Sequence, residues 1–222
     1  MKKLIRRHDL VLFQGDSITD CGRRGSADGL GGGYVAMVQG LAAARHPELD
    51  LRILNRGIGG DRTAELLARW QADCCDLKPD VLSIMIGVND VWRKAGEWMG
   101  QRYIPLPQFR ENLTRLVELA GGVRQLVLVS PTTIERDNAG ELNRLLADYD
   151  AFVQELARAR GAVYVPARAA LLRARAEIRD VEWTVDGCHP TAAGHALIAH
   201  EWLKAVGLAG CRTYPLWHVR TG

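Results

Sequence analysis

The sequence lacks long hydrophobic runs, dense basic blocks and any linker rich in proline and serine. Its longest mostly apolar run, residues 81–88, is far shorter than the about 20 residues that cross a bilayer. No block of Lys or Arg exceeds two residues and the formal net charge is only +3, which argues against nucleic-acid and membrane partners. Because 47% of the residues are hydrophobic, disorder is excluded as well.

Cysteine is scarce and carries no pattern. There are five cysteines, an odd number, and no C-x-x-C pair, so neither a disulfide framework nor a zinc cage is predicted. Free thiols are typical of a reducing compartment. The start of the chain also lacks the apolar stretch of about 7–15 residues that a signal peptide requires. We therefore expect a cytoplasmic protein.

Short apolar runs alternate with helix-length amphipathic segments, which is typical of βαβ units and predicts a parallel sheet covered by helices on both faces. No linker or repeat interrupts this pattern, so we expect one domain over residues 1–222. Two segments depart from it: a long loop over 87–106, and an apolar tail over 210–222 that fits either a homo-oligomer or packing within the chain. The predicted strands cover 10–14, 51–54, 81–86, 126–130 and 162–165, and the predicted helices cover 33–45, 63–77, 107–121, 141–160, 167–178 and 191–206.

Four turns rich in small residues carry reactive or hydrogen-bonding side chains. Three follow predicted strands and one precedes the last helix, so all four belong at the carboxyl edge of the sheet, where ligands of such folds bind. Ser, His and Asp are the parts of a nucleophile–base–orienter system, and Gly and Asn supply hydrogen-bond donors. The turns are Gly15-Asp16-Ser17-Ile18, the segment 55–61 with Gly59 and Gly60, Gly87-Val88-Asn89-Asp90, and Asp186-Gly187-Cys188-His189-Pro190.

Each turn alone has a simpler interpretation. Asp16 or Ser17 is a common helix cap, Gly59-Gly60 is a common tight turn, Asn89 is a common turn residue, and His189-Pro190 is a common helix start. A coincidence of all four at one edge of one sheet is improbable. Their combination therefore predicts a catalytic site.

Taken together, these turns resemble those of the SGNH hydrolases of the GDSL esterase family. The resemblance runs over about residues 10–206, with Ile18 where the family has Leu, and several stretches are similar to intracellular acetylxylan esterases: GDSITDCGR, NRGIGGD, SIMIGVNDVWR and HPTAAGH. It implies an α/β, flavodoxin-like three-layer sandwich whose five-stranded parallel sheet has the order 2-1-3-4-5.

The resemblance also implies roles for individual residues. Ser17 is the expected nucleophile, His189 the general base and acid, and Asp186 the residue that orients the imidazole. The backbone N–H groups of Ser17 and Gly60 and the side-chain amide of Asn89 are the expected oxyanion-hole donors.

The implied reaction is removal of O-acetyl groups from xylose units of short oligosaccharides through an acyl-enzyme on Ser17. The alternative within the family is a broader lipase, thioesterase or lysophospholipase, because these motifs do not encode acyl length. Asp16, Trp92 and Trp183 are predicted to contact the substrate, the two tryptophans as flat faces for sugar rings. Core packing or a subunit interface explains such aromatic residues equally well.

No cofactor and no metal are predicted, since no pair of histidines has a metal-binding spacing such as H-E-x-x-H. The glycines of residues 29–33 raise the alternative of a flavodoxin-like nucleotide-binding module, but they lack G-x-G-x-x-G and lie well past the first strand. A non-catalytic carbohydrate-binding protein is a second alternative. Neither alternative needs Ser17.

Overall fold

A computed structural model describes residues 4–210, so Gly210 is the only residue of the predicted 210–222 tail that it includes. Five parallel strands form one sheet in the order β2-β1-β3-β4-β5, which confirms the predicted topology. Each strand lies within two residues of its predicted bounds. The strands are β1 Leu10–Gly15, β2 Arg52–Asn55, β3 Val81–Met85, β4 Gln125–Val129 and β5 Val163–Val165.

Helices connect the strands, and two predicted segments differ from what the sequence indicates. The predicted loop over 87–106 is wrong at its start, because Val88–Trp92 forms a short helix. The predicted helix over 63–77 is interrupted after Ala68 and continues as a π-helix over Gln71–Cys75. The helices are α1 Ser17–Asp20, α2 Tyr34–Arg45, α3 Thr63–Ala68, α4 Val88–Trp92, α5 Leu106–Leu119, α6 Glu141–Ala159, α7 Ala167–Glu177 and α8 Ala192–Ala205.

Strands β1 and β3 lie in the interior of the sheet and are covered by helices. Every residue of β3 is buried, as is typical of a parallel strand with helices above and below it. Phe13 of β1 and Ser83 of β3 are paired in register and meet α8 on the same face. The Trp202 ring lies 5.2 Å from the Phe13 ring, and its indole N–H donates to Ser83 Oγ at 3.0 Å. This anchors the helix that follows the His189 turn.

The parallel arrangement brings the turns after β1, β2 and β3 to one edge of the sheet. The turn before α8 reaches the same edge, because His189 contacts Ser17. None of the helices between residues 4 and 210 is both long and apolar enough to cross a membrane.

Candidate active site

Ser17 is held where β1 ends and α1 begins. The Asp16 side chain caps α1 by accepting a hydrogen bond from the Ile18 backbone N–H at 3.0 Å. Gly15 lies so close to Met85 that a β-carbon would come within 2.4 Å of the Met85 carbonyl oxygen, so only glycine fits there. This sharp change of direction leaves the Ser17 side chain partly exposed at the carboxyl edge.

Ser17, His189 and Asp186 form a continuous hydrogen-bonded chain. Ser17 Oγ lies 3.0 Å from His189 Nε2, and His189 Nδ1 lies 2.7 Å from Asp186 Oδ2. The second carboxylate oxygen, Asp186 Oδ1, accepts from the backbone N–H groups of Cys188 and His189 at 2.9 and 2.8 Å. The carboxylate is therefore fixed at both oxygens, and the imidazole is fixed by the carboxylate.

The charge of Asp186 follows from these contacts. Partial burial opposes ionisation, but the hydrogen bonds from the His189 side chain and from the two backbone N–H groups outweigh it and hold the Asp186 pKa below its ordinary value. An ionised Asp186 keeps the proton of the neutral imidazole on Nδ1. Nε2 is then free to accept the Ser17 proton.

Gly60 and Asn89 face the same cavity as Ser17 and His189. Gly60 has φ +85°, a left-handed conformation that favours glycine. The buried Asn89 amide donates one N–H to the Asp61 carbonyl at 3.0 Å. An amide carries two such hydrogens, so the second remains for a ligand in the cavity.

A buried aspartate holds α4 behind this cavity. Asp90 is fully buried and accepts from the Thr63 backbone N–H at 3.1 Å and from the Thr63 hydroxyl at 2.5 Å. Burial raises the Asp90 pKa to about 6 in spite of these bonds. The contact ties the start of α4, and with it Asn89, to the start of α3.

Arg69 contacts two of the turns that carry the site and is linked to a third through Asp61. Its guanidinium donates to the carbonyl oxygens of Gly15 at 3.2 Å and Arg56 at 2.8 Å, and to Asp61 Oδ2 at 2.7 Å. Gly15 ends β1, Arg56 follows β2, and Asp61 holds the Asn89 amide through its carbonyl oxygen. One side chain thus fixes the relative positions of the candidate nucleophile and oxyanion donors.

The cavity over Ser17 has a volume of about 620 Å³, and two tryptophans contribute to its wall. The Trp92 ring lies 5.7 Å from the His189 ring. The Trp98 ring covers Gly60 so closely that a β-carbon on this glycine would lie 2.5 Å from the indole. This volume is in the range of cavities that bind small molecules.

Comparison with known proteins identifies the family. The model of the GDSL-like lipase/acylhydrolase family matches residues 13–197, which include all four turns. The chain belongs to that family. An acetylxylan esterase from Geobacillus stearothermophilus is 37% identical to this GDSL-family chain over 210 residues, with 91% of this chain and 96% of the relative covered.

Solved structures resemble this GDSL-family fold over nearly its whole length. The crystal structure of Axe2, an acetylxylan esterase from Geobacillus stearothermophilus, superposes with a TM-score of 0.86 at 34% identity, covering 95% of this chain and 100% of Axe2. LAE5, an alpha/beta hydrolase enzyme from the metagenome of Lake Arreo, Spain, gives a TM-score of 0.87 at 32% identity over 94% of this chain and 100% of LAE5.

Two residues predicted to contact substrate lie away from the GDSL-family cavity. Asp16 is 1% exposed and accepts the Ile18 N–H, so its side chain points inward as a helix cap, and its burial raises its pKa to about 7. Trp183 lines a separate cavity of about 170 Å³, and its indole N–H donates to the Ile178 carbonyl at 3.3 Å. Of the three predicted contact residues, Trp92 lines the cavity over Ser17.

Other residues of the site were not expected from the sequence. Arg93 lines the cavity immediately after Trp92. Arg175 holds the turn of Asp186 and His189, because its guanidinium donates to the Gly187 carbonyl at 2.9 Å and to the Thr184 hydroxyl at 2.7 Å. Arg93 lies three residues after the turn that ends at Asp90, and this closeness is a signal in the sequence, whereas no neighbouring motif points to Arg175. Within residues 4–210, no three His, Cys, Asp or Glu side chains are grouped so as to hold a metal ion.

Proposed function

We propose that the chain removes O-acetyl groups from xylose units of short oligosaccharides. Membership of the GDSL-like lipase/acylhydrolase family makes it a carboxylic ester hydrolase, and the similar acetylxylan esterase supports the acetyl group and the sugar. The observation that carries the mechanism is the chain of contacts from Ser17 through His189 to Asp186, 3.0 and 2.7 Å long.

Acylation begins when His189 Nε2 takes the proton of Ser17 Oγ, and this oxygen attacks the acetyl carbonyl carbon. The negative charge that forms on the carbonyl oxygen accepts hydrogen bonds from the Ser17 and Gly60 backbone N–H groups and from the free Asn89 amide hydrogen. The imidazolium then gives its proton to the departing sugar oxygen, because a sugar alkoxide is a poor leaving group. The C–O bond to the sugar breaks and Ser17 carries the acetyl group.

Deacylation repeats these steps with water. His189 Nε2 removes a proton from water, the hydroxide oxygen attacks the acetyl carbon, and the ester bond to Ser17 breaks with return of the proton to Ser17 Oγ. Acetate leaves. Throughout, the ionised Asp186 stabilises the imidazolium without taking its proton.

A Ser17→Ala variant tests the mechanism. We expect loss of nearly all hydrolysis of 4-nitrophenyl acetate with an unchanged melting temperature, since Ser17 is partly exposed. An Asn89→Ala variant loses one oxyanion donor, and its kcat is expected to fall by about 10²–10³. Turnover of the Ser17→Ala variant at the wild-type rate would contradict a serine mechanism.

A broader acylhydrolase is the second candidate, because the matched family includes lipases and the cavity of about 620 Å³ is larger than an acetyl group needs. A series of 4-nitrophenyl esters from acetate to decanoate separates the two. Activity that falls steeply with acyl length supports the acetylesterase, and activity that rises with length supports the broader enzyme. Acetylated xylo-oligosaccharides measured beside this series test the sugar.

The assembly and location of the protein remain predictions. A homo-oligomer is proposed from the apolar tail, which lies outside the described residues apart from Gly210. Light scattering coupled to gel filtration measures the mass directly and decides this point. The cytoplasmic location is proposed from the free thiols and is tested by fractionation of the native host.

A further inference from the structure

Arg93 presents a fixed positive charge to the cavity over Ser17. It lines this cavity, and its guanidinium carbon lies 5.0 Å from the centre of the Trp98 ring, within the range of a cation–π contact. Its Nε–H donates to Gln101 Oε1 at 3.0 Å. The side chain is therefore held from one face and from one edge.

Arg93 makes no ion pair in the part of the chain that the structure describes, since no carboxylate oxygen lies within 4.0 Å of its guanidinium nitrogens. The charges of Glu65 and Asp90 act on it only from a greater distance. Nor do Nη1 and Nη2 donate to any described residue. Glu97, the carboxylate that also lines the cavity, is paired with Arg102 at 2.8 Å. Partial burial lowers the pKa of Arg93, because water that would stabilise the cation is partly excluded.

The position of this guanidinium relates it to the reacting ester. The Trp98 ring covers Gly60, the expected oxyanion donor, and the same ring contacts Arg93. Arg93 is thus separated from the oxyanion position by one indole ring. A group bound by Arg93 belongs to the same sugar as the acetyl ester or to a neighbouring sugar of the same oligosaccharide.

The free Nη1 and Nη2 groups match one chemical class of ligand. They form a planar fork of N–H donors, whose geometry fits the two oxygens of a carboxylate. A sugar hydroxyl can be bound by a neutral amide such as Gln101 and does not require a partly buried cation. A bound carboxylate would also give Arg93 the direct ion pair that it lacks among the described residues.

We infer that Arg93 binds a carboxylate carried by the substrate, so that the enzyme prefers acetylated oligosaccharides that bear a uronic acid residue next to the acetylated sugar. This inference rests on the proposed function and adds the substrate class to it. Charge-assisted hydrogen bonds of this kind contribute about tenfold in binding or more.

The test compares two acetylated xylo-oligosaccharides of equal length, one neutral and one with a glucuronic acid substituent. For the wild-type enzyme we expect kcat/KM to be about tenfold higher for the acidic substrate. The Arg93→Gln variant retains a side-chain N–H donor but loses the charge, and its ratio is expected to fall to about one. The matched control is Lys94→Gln, which removes a positive charge from the next residue. Lys94 is paired with Glu141, and this variant is expected to keep the wild-type ratio.

A second measurement does not depend on any variant. Glucuronate and glucose differ only in the carboxylate, and at equal ionic strength glucuronate is expected to inhibit hydrolysis of 4-nitrophenyl acetate at lower concentration. Equal inhibition by the two sugars, or a preference for the acidic substrate that survives in Arg93→Gln, would overturn the inference. Failure of the wild-type enzyme to hydrolyse 4-nitrophenyl acetate would instead overturn the proposed function.

Discussion

Replacing Gly60 by alanine tests whether its backbone conformation creates the oxyanion hole. With φ +85°, a residue with a side chain is strained by about 1–3 kcal/mol. The new β-carbon would also lie 2.5 Å from the Trp98 ring. Carbon atoms need about 3.5 Å, so the ring or the peptide must move by about 1 Å.

A displacement of this size is large for a catalytic donor. Misplacement by about 1 Å can cost about 10² in rate, and complete loss of one oxyanion donor costs about 10²–10³. We therefore expect kcat of Gly60→Ala for 4-nitrophenyl acetate to fall by about 10² or more, whereas KM for this small ester changes little. Stopped assays at saturating substrate measure the effect directly.

The neighbouring glycine provides the control. A β-carbon on Gly59 would meet nothing closer than 3.8 Å, and φ of Gly59 is not positive, so Gly59→Ala is expected to keep kcat within about twofold. The double variant Gly60→Ala with Trp98→Ala separates the two causes, because removing the ring relieves the contact but leaves the backbone strain. Wild-type kcat in Gly60→Ala alone would refute the assignment of its N–H to the oxyanion.

Three further predictions follow from the contacts of the site. Asp186→Asn should lower kcat by about 10⁴ with little change in KM, and a loss below tenfold would exclude Asp186 as the orienting residue. Burial raises the pKa of Asp16 from 3.8 to about 7, so between these pH values the folded chain keeps a proton that the unfolded chain releases, and stability falls as pH rises through this window. Asp16→Asn should remove up to about 4 kcal/mol of this fall in stability. Urea unfolding of both proteins at pH 4 and pH 8 measures the difference, and an equal pH dependence would contradict the raised pKa of Asp16. Arg69→Lys should lower both the free energy of unfolding, by about 2–3 kcal/mol, and kcat, because an ammonium cannot reach the Gly15, Arg56 and Asp61 oxygens together. Arg45→Lys, which gives up one bond to the Ala209 carbonyl, is the control for chemical unfolding, and an equal effect of the two changes would contradict a special role for Arg69.

The sheet could be predicted from the sequence because its strands have a strong local signal. The segment Val81–Met85 is apolar almost throughout and is buried on both faces. The four turns could be placed at one edge because parallel strands all end on the same side. Topology therefore converts four separate positions in the sequence into one cavity.

Short helices and interrupted helices could not be predicted in the same way. Helix Val88–Trp92 has five residues, too few for a periodic pattern, and depends on the tertiary contact of Asp90 with Thr63. The break after Ala68 places Arg69 where it can reach oxygens of the turns after β1 and β2. Long-range contacts decide these features.

The sequence also could not predict the directions in which the side chains of the site point. Trp183 lies within a few residues of Asp186, yet its ring is on another surface. Asp16 precedes the candidate nucleophile, yet it points inward as a helix cap. Proximity along the chain identifies the region of a site, whereas the backbone conformation determines which side chains enter the cavity.

The contact between Ser17 and His189 joins positions 172 residues apart. Ribosomes make the candidate nucleophile early and its base late, so a nascent chain carries an unactivated serine until the segment before α8 docks. Appearance of esterase activity therefore reports when the segment before α8 has docked against the Ser17 turn. In a refolding experiment, activity that returns later than strand formation would give the time at which this segment docks, with no label attached to the protein.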